Sequence, residues 1–159
     1  MIKFFSGSIN LLVILLISSC AYSEKAKVEL SLQVVKCEIN AWLNLMPGVS
    51  PGKFHLTGEV SLQNIADEEV KNINLDNITV YSSEEVIYSF KPYFTHKMEG
   101  DNYNLKKGMD KVYAVGIEKG LKIDGRLDKN KFINIKLNFV ADKGSYSYSV
   151  DSVEVEEAY

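Results

Sequence analysis

Few side chains in this sequence could do chemistry, and their types narrow what it could be. Two histidines, His55 and His96, and two cysteines, Cys20 and Cys37, are the activating or thiol groups. A nucleophile needs a histidine base that is itself oriented by an acid. No H-E-x-x-H, phosphate-loop or dinucleotide-binding glycine pattern accompanies either histidine. The carboxylate pairs Glu68-Glu69, Glu84-Glu85 and Glu156-Glu157 sit at turns or at the terminus, where solvation explains them. No catalytic residue and no resident cofactor are expected, and the chain reads as a protein that is not an enzyme.

His96-Lys97-Met98 sets an imidazole and a thioether two residues apart, with Met109 further on. Soft ligands of this kind select Cu(I). His96 and Met98 are therefore the metal candidates, although Lys97 between them would repel a cation. Asp124, Asp128 and Asn130 crowd one connector, but the calcium-loop spacing fails because Ile135 stands where a bidentate Glu would close it. A binding surface is the more natural reading. Trp42 shares an outward strand row with Asn40, Asn44 and Met46, and His55 faces outward beyond a Pro-Gly loop. If the two strands pair as a hairpin, Trp42, Met46 and His55 form an aromatic and sulfur patch near its end. Residues of this kind are enriched at contact sites.

The elements that must position these residues are strands. Val28, Leu30, Leu32 and Val34 alternate with Glu29, Ser31 and Gln33. The phase slips at Val34-Val35, and Val35, Cys37, Ile39, Ala41, Leu43 and Leu45 then form the apolar row, which predicts a bulge or a strand changing sheets. Cys37 in that row reads as a small buried hydrophobe. Met46 to Gly52 is a loop with Pro-Gly twice, and the next strand carries Phe54, Leu56, Val60 and Leu62 inward, with Gly58 on the same row. Further strands are expected near Ile73–Ser82, Val86–Phe90, Met109–Glu118, Phe132–Ala141 and Tyr146–Val155, the last with a phase shift at Asp151-Ser152. Residues 99–108 read as an exposed loop and 119–131 as a connector. No stretch holds a helical stripe.

Seven or eight strands with one wet face each predict an all-β, immunoglobulin-like antiparallel β-sandwich over residues 28–159. An eight-stranded barrel is the alternative. A length of 159 residues allows one such domain. The net charge of -3 leaves no basic excess for phosphate neutralisation, so no nucleic-acid partner is expected. An apolar fraction of 46% excludes global disorder, and nine Tyr and seven Phe suit strands.

The first 19 residues stand apart. Lys3 precedes an apolar run, Ile9 and Leu11 to Ile17, too short for a membrane-spanning helix, and small residues lead to Cys20. Residues 1–19 thus read as a signal peptide and 20–27 as a tether. Leu16-Ile17-Ser18-Ser19-Cys20 resembles the lipobox of bacterial lipoproteins, with Ile17 where Leu is most frequent. The resemblance implies a diacylglyceryl group on the Cys20 thiol, cleavage before Cys20, and a lipid bilayer as partner. Ala21, rather than Asp, follows the cysteine, which in Gram-negative members of the family implies sorting to the outer membrane, facing the periplasm. Acyl chains contribute about 0.8 kcal/mol per buried methylene, so two or three hold a soluble domain firmly. With Cys20 acylated, Cys37 has no partner for a disulfide within the chain.

Two further resemblances concern the domain. The H-x-M unit is similar to that of a copper chaperone family, but the upstream Met-rich segment of that family is missing. Leu62-Gln63-Asn64, Val80-Tyr81-Ser82, Tyr88 and Leu105-Lys106-Lys107-Gly108 resemble short motifs of small bacterial immunoglobulin-like proteinase inhibitors, without an inhibitory residue to carry over. The expected function is a lipid-anchored envelope protein whose sandwich binds an envelope protein partner or has a structural role. A periplasmic copper-binding domain and a proteinase inhibitor-like module are the alternatives.

Overall fold

The computed structural model describes residues 30–48, 51–96, 103–127 and 132–159. The expected signal peptide, the tether and Cys20 lie outside them, as do Lys97, Met98, Asp128 and Asn130. The described chain is an all-β sandwich of two sheets with separate edges, so the closed barrel is excluded.

The strands are β1 (Leu32–Asn44), β2 (Lys53–Asn64), β3 (Asn74–Ser82), β4 (Glu85–Phe90), β5 (Tyr93–His96), β6 (Asp110–Gly116), β7 (Leu121–Lys122), β8 (Ile133–Ala141), β9 (Gly144–Val153) and β10 (Val155–Ala158). One sheet has the order β10-β1-β2-β6-β5, with β7 also on β2; the other has the order β4-β3-β8-β9. Among the described residues there are ten strands rather than seven or eight. The excess is three short pieces, β5, β7 and β10, which alternation over so few residues does not reveal. The sheets are antiparallel apart from β10, which runs parallel to the end of β1 from Ala41↔Val155 to Asn44↔Ala158.

Period-two alternation accounts for the layers. Phe54, Leu56, Val60 and Leu62 of β2 are buried, as are Ile78 and Val80 of β3 and Ile133, Ile135, Leu137 and Phe139 of β8. Each large apolar side chain removed from water contributes about 1.5–3 kcal/mol, so this interior is the main favourable contribution to folding. Gly58 is on the inward row because a Cβ there would lie 2.2 Å from the Glu38 carbonyl oxygen and 2.7 Å from Ile39 Cδ1. The slip at Val34-Val35 is a bulge: Val34 pairs with Leu62 and Lys36 with Ser61, and Val35 is left exposed. The slip at Asp151-Ser152 is another irregularity, with Ser152 at a φ of 58°. There β9 leaves one sheet, and the chain re-enters the other as β10.

Two expectations about loops need correction. Residues 99–108 are not an exposed loop throughout. Leu105 is fully buried and exchanges backbone hydrogen bonds with Val70, Leu105 N–H to Val70 O at 2.8 Å and Val70 N–H to Leu105 O at 3.0 Å. The connector at 119–131 contains β7 and the buried Leu127. A lone leucine in a polar stretch carries no periodic signal, which is why both were missed.

Candidate functional site

The site is built on the outward face of β1 and β2. The register places Trp42 opposite His55, confirming the hairpin that the Pro-Gly loop suggested. Their rings stack with centroids 5.2 Å apart and planes 10° from parallel. On the other side of His55 lies Gly120. A Cβ at Gly120 would be 2.6 Å from His55 Cε1 and 2.7 Å from Nε2. The imidazole is therefore held between an indole and a backbone segment with no side chain. Gly120 occupies that place because β6 and β7 run along the same edge of β2 with an interruption between them. Thr57 pairs with Gly116 and Lys53 with Lys122, so two extra residues are accommodated at 117–120. Gly120 closes this irregularity at a φ of +66°, which glycine adopts without strain.

The adjoining outward row repeats the device. Tyr93, Gly116 and Thr57 are consecutive cross-strand neighbours, and the Tyr93 hydroxyl shares a 2.9 Å hydrogen bond with Thr57 Oγ1. A Cβ at Gly116 would come within 2.7 Å of that hydroxyl, so the tyrosine lies across the glycine. On the far side of Trp42, the parallel strand β10 places Glu156 opposite it.

The charge next to His55 comes from Lys53. Lys53 Nζ donates to the Lys119 carbonyl at 3.2 Å. Burial, and then repulsion from Lys53, lower the His55 pKa below its ordinary value, so the ring is neutral near pH 7.

Of the three residues expected in the patch, Trp42 and His55 are brought together. Met46 follows in the turn after β1, exposed, with its N–H donating to Asn44 Oδ1 at 3.2 Å. His96 ends β5 beside the buried Tyr113, ring centroids 5.6 Å apart, and Met98 lies outside the described residues. Among the described residues no group of three or more His, Cys, Asp or Glu side chains is placed to hold a metal ion. Asp124 is engaged within its own turn: Arg126 donates to it through the backbone at 2.9 Å and the guanidinium at 2.7 Å, which brings the carboxyl down to about 2. Cys37 is half-buried against the core, and burial pushes its thiol up to about 11. Asn64 of the Leu62-Gln63-Asn64 motif is fully buried and ties two loops together through its amide. Gly120, Lys119 and Lys122 were not singled out in the sequence, because the connector reading hid their place on the β2 edge.

No family profile matches the chain, and no curated protein matches it. Among solved structures, one chain described as "Structure of Iho670 Flagellar-like Filament" aligns at 11% identity, covering 84% of this chain and 88% of that one, with a TM-score of 0.37. No helix among the described residues is long and apolar enough to cross a membrane.

Proposed function

We infer that this chain is a lipid-anchored protein of the cell envelope whose β-sandwich holds a binding face away from the anchoring bilayer. The lipobox-like residues ending at Cys20 support the anchor, and Ala21 favours the outer membrane with the domain in the periplasm. The observation that carries the binding role is the position of the Trp42–His55 pair on β1. The described chain enters at Leu30, and β1 begins at Leu32. Trp42 lies ten positions further along β1, about 33 Å at 3.3 Å per residue. A tether attached before Leu30 leaves the ring pair at the end remote from the lipid. A stacked indole and imidazole on a sheet face is contact chemistry, and the partner read from it is another envelope protein.

Two measurements test this. Intact mass on membrane-extracted protein is expected to show acyl mass on a species beginning at Cys20, and Cys20→Ala is expected to move the protein to the aqueous fraction. A photo-crosslinking amino acid at position 42 in intact cells is expected to give a reproducible adduct with one envelope protein, and the same group at Lys136 on the opposite sheet is not. Equal adducts from both positions would reject the ring pair as the contact face.

A further inference from the structure

The end of the sheet that carries His55 also carries an unusual arrangement of charge. Lys53 and Lys122 are direct cross-strand partners on β2 and β7. Like charges opposite each other destabilise a sheet. Neither has a carboxylate partner among the described residues, nor do Lys91 and Lys119. Lys53 instead reaches to the Lys119 carbonyl. Lys91 and Lys119 flank one groove of about 380 Å³, walled by Phe90, Tyr93, Ile117 and Leu121. Glu118 is the one carboxylate lining that groove. Several lysines elsewhere are paired, Lys36 with Glu38 at 2.7 Å, Lys107 with Asp67 at 2.5 Å and Lys143 with Glu68. In a chain of net charge -3, two unpaired lysines lining the groove and two more beside it, Lys53 and Lys122 next to Leu121 on β2 and β7, form a local cationic surface.

We propose that this groove and its lysines dock an acidic peptide segment of the partner, with an aliphatic side chain in the groove and carboxylates on Lys91, Lys119, Lys53 and Lys122. This deepens the reading of a binding face given above and rests on it. Charge complementarity fixes the sign of the partner. The apolar walls favour a peptide over an acidic polysaccharide, which offers no aliphatic side chain to bury. The unfavourable Lys53–Lys122 juxtaposition is relieved when an anion sits between them. Bulk solvent makes the attraction salt-dependent, with a reach of about 10 Å at 0.1 M salt.

The test uses the full chain in neutral detergent micelles and a fluorescein-labelled peptide of alternating Glu and Leu, read by anisotropy. Saturable binding is expected at low salt, weaker for polyglutamate and for polygalacturonate and absent for a Lys/Leu peptide. Lys53→Glu with Lys122→Glu is expected to weaken binding about tenfold or more. Lys53→Gln with Lys122→Gln should weaken it less, and Lys136→Glu on the opposite sheet should leave it unchanged. Unaltered far-ultraviolet circular dichroism confirms that each variant is folded. Undiminished binding in the Glu variant, no binding of the Glu/Leu peptide, or equal affinity for polygalacturonate or phosphatidylglycerol vesicles would each overturn the proposal. Because the assay requires no acylation and no cellular partner, its failure leaves the crosslinking result at position 42 to stand or fall separately.

Discussion

Trp42 and His55 face each other across β1 and β2 with ring centroids 5.2 Å apart and planes nearly parallel. The pair stands on the solvent side of a sheet whose other side is core. It does not contribute to the interior, and each ring covers one face of the other. Gly120 closes the stack on the histidine side. The arrangement fixes the orientation of the single tryptophan in the chain.

That single tryptophan makes the pair measurable. A protonated imidazole in ring contact quenches indole emission, so Trp42 fluorescence is expected to fall as His55 takes up a proton. Burial and Lys53 lower the His55 pKa, so the midpoint should lie below the ordinary value of about 6.5. Lys53→Glu is expected to move the midpoint upward, and His55→Gln to flatten the titration. The folded-state pKa is depressed, so the stability His55 contributes is full above its unfolded value and is lost as pH falls through the folded one. A midpoint at or above 6.5 in the unaltered chain contradicts this account.

Gly120→Ala tests the other wall of the stack. The new Cβ would meet His55 at 2.6 Å in a backbone conformation, φ +66°, that alanine disfavours. A cost of about 1–3 kcal/mol is expected, together with a red shift of Trp42 emission as the imidazole is displaced. Gly125→Ala, with nothing within 4 Å of its new Cβ, is the control and should change neither. An unshifted emission spectrum in Gly120→Ala would show that the glycine is not what confines the ring.

The sandwich and the ring pair were legible for the same reason. Alternation in β1 and β2 is regular on either side of a Pro-Gly loop, so the faces of Trp42 and His55 follow from period two and the hairpin from loop length. The bulge at Val35 was visible as a phase slip. The interruption between β6 and β7 was not, because a two-residue strand has no period. With it went Gly120 and the meeting of Lys53 with Lys122, both of which depend on register between segments more than 60 residues apart. Leu105 was hidden likewise, since its burial comes from a bridge to Val70 rather than from its neighbours in sequence.

Asn64 is expected to be a fixed point of the fold. Its Nδ2 donates to the Glu68 carbonyl at 2.7 Å and the Leu105 carbonyl at 2.9 Å, and its Oδ1 accepts from Ala66 N–H at 2.8 Å. The residue is fully buried, so removing the amide strands those partners. Asn64→Ala should cost about 2–4 kcal/mol in denaturant unfolding. Asn64→Asp should also be costly, because a carboxylate cannot donate to two carbonyls. Near-native stability in both variants would remove Asn64 from the account of how the 66–70 and 103–108 segments are held.

Tyr113 makes the opposite prediction. Its ring stacks on Phe94 with centroids 4.4 Å apart, and its hydroxyl is buried with no hydrogen-bond partner among the described residues. Burial, with a smaller contribution from Tyr103, pushes the phenol up to about 12. The ring is part of the core, and among the described residues nothing offsets the desolvation of the hydroxyl. Tyr113→Phe keeps the first and removes the second, so it is expected to stabilise the domain by about 1 kcal/mol. Tyr113→Ala removes both and should destabilise it by about 3–5 kcal/mol. The raised pKa adds a signature in alkali. Stability from the neutral phenol is full below the unfolded tyrosine value and is lost as pH rises through the folded one, so the two proteins should diverge most above pH 10. A phenylalanine variant less stable than the original at neutral pH would mean that the hydroxyl is satisfied after all.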